Sequence, residues 1–555
     1  MNRKALVFVI VLAAAGGYYY YDRTKPPPLP DLAPVGATLL EGLGNYSMPV
    51  TASGPEVQRW FDQGLALTYG FNHDAAERSY LKAAELDPDC AMCWWGAALV
   101  LGPHVNATMD PANNAKAWDR LQRALRAADG ASDREQAYVR ALSARYAAVP
   151  PTNRKPLDEA YAAAMADLVA SYPDDVDAAT LHAESLMDLQ PWDYWDEDGK
   201  PKGHTAEIVS GLESVIARSP DHAGALHLYI HAVEASDDAA RGVAAADRLR
   251  ELLPGSGHLV HMPAHIYARV GRFHDAVIAN QKAIAADDAY LAICKPGPGV
   301  YPLGYVPHNH HFLWFAATME GNSAVALEAA AATARRTSDP QLMRTPGFEA
   351  MQNFSLTPLF ADVRFHRWQQ IVDTPQPASD LPYMVAMWHY AQGMAAVGQG
   401  RLEDARRHYD EVRSSAGDPV IEKMMAWDRY SLAGGVRIAE HMLLAELARA
   451  ARDFDGAIEA LREAVAIEDT LLYDEPPAWH SPVRQSLGAV LLAARKPKDA
   501  EAAYREELRR NPENGWSLYG LERALRAQGR KDEAKAVAER FERAWAHADI
   551  RLDEL

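Results

Sequence analysis

GLALTYGFNHDAAERSYLKAAELDP, residues 64–88, carries the spacing that decides the fold. Counting from Gly64, Ala76 stands at +12, Tyr80 at +16, Ala83 at +19 and Pro88 at +24. Far along the chain Gly488 is followed at the same steps by Ala500, Tyr504, Glu507 and Pro512. Gly393 leads to Ala405, Tyr409 and Val412, and Ala445 to Ala457, Leu461 and Ala464. Ala264 leads to Gly271 at +7, Ala276 at +12 and Ala283 at +19. Small residues at the origin and at +12 let two antiparallel helices approach closely. The larger residue at +16 fills their seam, and the terminal proline stops the second helix. From about Gln58 onward helical patterns alternate with short turns, with no strand or hairpin signal. The expectation is an all-α solenoid of antiparallel helix pairs, each packing on its neighbours.

These spacings resemble the tetratricopeptide repeat family, over most of Gln58 to Trp545. The resemblance implies a right-handed superhelix whose first helices line a concave groove, where a protein or peptide partner can lie. The tryptophan that usually opens each repeat is mostly absent, and repeats are interrupted around 102–115, 190–203 and 294–307. The chain divides into a leader (1–25), a Pro-rich linker (26–57), an N-terminal repeat region (58–320), an interrupted helical segment (321–386) and C-terminal repeats (387–555).

The formal net charge over 555 residues is -19. Such a field repels phosphate backbones, which argues against nucleic acid, and attracts cations. Arg3 and Lys4 precede an apolar run from Ala5 to Gly17, four tyrosines and the spacer Pro26-Pro27-Pro28-Leu29-Pro30. A basic start with a short apolar core has the parts of an export signal, cleaved or kept as a membrane anchor. By the positive-inside rule the rest of the chain faces the periplasm or the exterior.

The twenty histidines are clustered. His258, His261 and His265 are spaced i, i+3, i+7, on one face of one helix; His227, His231 and Glu234 are i, i+4, i+7; His308 and His311 are i, i+3. Counted from Ala264, the first trio falls at -6, -3 and +1. From Trp314, His308 and His311 fall at -6 and -3. From Ile230, His227, His231 and Glu234 fall at -3, +1 and +4. By the family resemblance this stripe faces the groove, so three successive first helices would aim seven histidines and one glutamate at one patch. Neighbouring helix axes lie ~8–10 Å apart, within reach of imidazoles sharing a metal ion. A lone groove histidine is ordinarily just hydrogen-bonded; the shared register singles this set out.

Cys90 and Cys93, in DCAMCWWG, lie at -6 and -3 of Gly96, with no following histidine that would mark haem attachment. They are expected to be a disulfide, a soft-metal clip with His104, or two buried thiols. No phosphate loop, nucleotide fingerprint or nucleophile elbow is present. The leading expectation is an extracytoplasmic metalloprotein, with Glu234 as ligand, orienter or general base. Imidazole-rich ligation suits copper first, then zinc or iron, and fits calcium or magnesium poorly. Oxidative chemistry is the first enzymatic option and metal-assisted hydrolysis the second. The alternatives are a scaffold that binds a peptide in the groove, or a metal store.

Overall fold

The computed structural model describes residues 36–553, apart from Pro298 and Asp428. It is a solenoid of antiparallel helix pairs, beginning with Pro55–Tyr69 against His73–Leu86 and ending with Gly515–Ala527 against Lys531–Ala544. Among the described residues the only strands are a two-residue ladder, Met425–Ala426 with Tyr430–Ser431. The leader and residues 26–35 of the linker lie outside the described residues. No described helix is long and apolar enough to cross a membrane.

The small-large-small seam is physical. A Cβ added to Gly64 or Gly96 would lie 2.7 or 2.4 Å from the ring of Tyr80, which is clamped between the two glycines. The C-terminal copy is built the same way: Tyr504 sits between Gly488 and Gly520, whose added Cβ atoms would lie 2.4 and 2.1 Å from its ring. In the repeat counted from Ile230, a Cβ on Gly242 at +12 would meet Ile266 at 2.7 Å.

In six repeats the position at +7 ends the first helix in the left-handed region. Gly271, Gly321 and Gly400 occupy it with φ of 79°, 79° and 73°. Arg452 and Arg495 adopt it too, and so does Phe71, with φ of 55°. A left-handed L-residue costs roughly 1–2 kcal/mol. Glycine is the usual solution, so a phenylalanine there calls for a reason.

The solenoid winds back on itself. Tyr290 Oη donates to Asn72 Oδ1 (3.0 Å), and the backbone N–H of Gly255 donates to the carbonyl of Gly42 (2.8 Å). From the other end, Trp516 Nε1 donates to the carbonyl of Thr318 (2.8 Å), and Asp549 accepts from the N–H groups of Ser323 and Ala324. The middle repeats are thus packed against both termini, and the histidine-bearing face is turned inward. The expected groove is closed over that face.

The interrupted segments become walls. Residues Tyr301–Tyr305 form a short π-helical turn leading into Val306–Met319, and Tyr305 packs on His258 with ring centroids 4.5 Å apart. From the 190–203 loop, Trp192 stands edge-on to His231.

Candidate metal centre

Three helical elements bring the imidazoles together. Ala223–Val233 carries His227 and His231. Gly257–His261 and Pro263–Arg269 carry His258, His261 and His265; Val306–Met319 carries His308 and His311. Pro263 divides its helix in two because it lacks a donor for the preceding turn. Met262 keeps helical geometry across the break, so the three histidines still share one face.

Six of the seven predicted histidines meet in two groups. His227, His231 and His258 form the first; His261, His265 and His308 form the second. Within each, one ligand atom per residue lies within 4.8 Å of the other two. The first five of these histidines are almost wholly buried, and His308 is partly so.

The far side of four rings is pinned by an acceptor. His227 Nδ1 donates to the carbonyl of Tyr69 (2.7 Å), an orphan of the last turn of Pro55–Tyr69. His261 Nδ1 donates to Asn280 Oδ1 (2.7 Å); Asn280 is itself oriented, because its Nδ2 donates to the carbonyl of Ala276 (2.8 Å). His231 Nδ1 and His265 Nδ1 donate to the two oxygens of Glu234, at 2.9 and 2.6 Å. A ring that donates through Nδ1 keeps its Nε2 lone pair free.

Those lone pairs converge. His261 Nε2 and His265 Nε2 are 2.7 Å apart, and His308 Nε2 is 3.5 Å from His265 Nε2. His227 Nε2 is 3.1 Å from His258 Nε2, while His231 Nε2 and His258 Nδ1 are buried without a hydrogen-bond partner. Burial first, and the neighbouring imidazoles second, push His227, His258, His261 and His308 well below the usual histidine range. Neutral, inward-facing imidazoles with oriented outer nitrogens are what metal ligation requires.

Glu234 is buried between the groups. Burial raises its carboxyl, but His265 and His231, by charge and hydrogen bonds, outweigh that and hold it well below the usual range. It also accepts from Tyr473 Oη (3.0 Å). With three donors on two oxygens it orients imidazoles, and its place in the register does not make it a free general base.

His311 does not join. Its partner at +1 is Phe315, not histidine, so the ligand pair of the two preceding repeats is broken. Its ring packs on Trp314 and Phe354 instead. Cys90 and Cys93 are joined to each other as a disulfide, with Cys90 capping Ala91–Leu99. Neither sulfur is available to clip a metal with His104, which packs on Phe71. Three nearby groups escaped the sequence reading. Asn280 stands at +16 from Ala264, where other repeats carry a large seam residue, and that polar exception was a usable signal. Glu475, with Oε1 3.8 Å from His265 Nδ1, and Tyr473 arrive from more than 200 residues away, with no local signal. Beside them a cavity of about 210 Å³ reaches His265, lined also by Phe312, Tyr473, Glu475 and Trp479.

Phe71 supplies the reason for its conformation. Its ring packs on His227, His231 and His258, with centroids 4.5, 5.9 and 5.4 Å away, and on Tyr305. The turn between the first two helices thus roofs the first histidine group.

The tetratricopeptide repeat family model matches residues 57–90, the Pro55–Tyr69 and His73–Leu86 pair. Residues 57–90 are a tetratricopeptide repeat. No curated protein sequence matches it. Similar solved structures include the Cut9–Hcn1 hetero-tetramer of the APC/C, at 15% identity and TM-score 0.31, covering 85% of this chain and 77% of that one. Human IFIT1 bound to m7Gppp-AAAA matches at 13% identity and TM-score 0.30, with 89% and 91% covered. Yeast Tom70 matches at 12% and 0.25, with 87% and 90% covered. All three TM-scores lie below 0.5, so none bears on what this tetratricopeptide repeat chain does.

Proposed function

We propose that this tetratricopeptide repeat chain is a metalloprotein that holds copper in an all-imidazole site at the centre of its solenoid. One observation carries the reading: His261 and His265 aim Nε2 lone pairs at each other across 2.7 Å, while both outer nitrogens are already committed as donors. A proton or a cation must sit between the two Nε2 atoms, and a metal ion there would be held by both rings while their outer nitrogens keep their acceptors. Neutral nitrogen ligands with no thiolate favour copper over the other first-row divalent ions, with zinc and iron next. The chemistry such a site supports is oxidative. We place the protein outside the cytoplasm, a reading supported by the Arg3-Lys4 start with its apolar run and by the Cys90–Cys93 disulfide.

The test is metal analysis of the purified chain, as isolated and after reconstitution with copper, zinc and ferrous iron. Stoichiometric copper is expected, reduced in His261→Ala and unchanged in His204→Ala, a solvent-facing histidine. A parent that takes up none of the three metals refutes the reading. The repeat at 57–90 favours a second one, an interaction scaffold for a protein or peptide. Since the histidine face is closed, that partner would bind elsewhere on the solenoid, and His261→Ala would leave its binding unchanged.

A further inference from the structure

The two histidine groups are two copies of one motif. Each takes the -3 and +1 residues of one repeat and the -6 residue of the next: His227 and His231 with His258, then His261 and His265 with His308. One step along the solenoid converts the first group into the second. The series stops there because the next repeat has Phe315 at +1.

The two copies abut. Across their boundary the ring centroids of His231 and His265 are 6.1 Å apart, and those of His258 and His261 also 6.1 Å. Within the first group His231 and His258 are separated by the same 6.1 Å. The boundary is therefore no wider than a group is itself. Glu234 spans it, accepting from the Nδ1–H of one ring on each side, so one buried carboxylate sets the direction of a ligand in both groups. Paired catalytic metals typically sit ~3.5–4 Å apart, a spacing that requires ligand sets in contact.

Resting on the copper reading above, we propose that the six imidazoles form one dinuclear copper centre whose ligand is dioxygen. Each copper has three neutral nitrogen ligands, which leaves a position for a bridging molecule. In the reduced centre each Cu(I) gives one electron. Dioxygen accepts both and becomes peroxide bridging two Cu(II); the O–O bond stays intact, and no proton or further reductant is consumed. The cavity beside His265 gives access from the second group's side.

The full-length protein is loaded anaerobically with Cu(I), its copper counted, and then exposed to dioxygen. Two coppers and one dioxygen per chain are expected, with the Cu(II) pair silent in electron paramagnetic resonance because the two spins couple. His308→Ala and His258→Ala should each fall from two coppers to one, with the remaining ion visible after oxidation. His308 is the more exposed ligand, so its variant carries the test if His258→Ala does not fold, as judged by circular dichroism. One copper per parent chain, two uncoupled Cu(II) signals, or two coppers that take up no dioxygen overturns the dinuclear proposal and leaves the copper reading standing. A parent that binds no copper overturns both.

Discussion

Glu234→Gln isolates what the shared carboxylate does. The side chain accepts from His231 Nδ1, His265 Nδ1 and Tyr473 Oη, and has nothing to donate. An amide of the same shape has one accepting oxygen and an NH2 group, so one of the two histidines must face a donor with its own N–H. That ring can escape only by moving its proton to Nε2, which removes the lone pair a metal needs. Hydrogen bonds to a charged partner are worth ~1.5–3 kcal/mol, and loss of an outer-sphere partner typically costs ~10–100-fold in metal affinity. Because Glu234 touches one ring of each group, both metals should weaken, each by ~10–100-fold. Asn280→Leu, which touches only His261, should weaken one. Competition titrations of both variants against a chelator of known affinity, with circular dichroism to confirm folding, give the two constants. Unchanged affinity in Glu234→Gln, or a loss confined to one ion, refutes the account of Glu234 as a shared orienter.

Phe71→Gly should relieve a left-handed strain of ~1 kcal/mol but remove a buried ring, whose loss ordinarily costs ~3–5 kcal/mol. The net is a protein ~2–4 kcal/mol less stable in chemical denaturation, from which a chelator strips metal faster; a stabilised variant would show that the ring roofs nothing. Gly96→Val should cost at least ~1–3 kcal/mol, since even a Cβ meets the Tyr80 ring at 2.4 Å, while Gly130→Val, with open space around it, should cost under ~1 kcal/mol. Burial first, and Glu468 second, push Glu507 up to about 8. An acid whose folded value is raised binds more protons folded than unfolded, so its stabilising share is intact below about pH 4.5 and falls away as pH rises through about 8. Glu507→Gln should therefore melt at a higher temperature than the parent at pH 9 by an amount worth up to ~5 kcal/mol, and match it near pH 4; a constant difference across that range would be wrong for this cause.

The fold was legible because its determinants are local. Gly64, Ala76 and Tyr80 satisfy a steric rule within one helix pair, and the rule repeats. The six clustered histidines were legible for the same reason: a repeat converts sequence offset into position, so -6, -3 and +1 mean one place in every unit. The same logic read too far at His311, where the register is right but the accompanying residue at +1 is aromatic. At Cys90 and Cys93 it left a disulfide, a metal clip and two buried thiols open, and the pair, three apart at a helix start, closes on itself as the disulfide. Tyr473, Glu475 and the roofing role of Phe71 depend on how far the superhelix turns before early and late segments return to the middle repeats. That angle is a sum of small contributions from every pair, and no single segment contains it.

Repeat chains usually tolerate gain or loss of a unit, because each contacts only its neighbours. The bond from Tyr473 to Glu234 removes that freedom here. Deleting one helix pair between residues 321 and 468 would shorten the return path, rotate the late loop away from the histidines and leave Glu234 without its third donor. The stretch of chain between Glu234 and Tyr473 has a fixed path, and its length is now a property of the site.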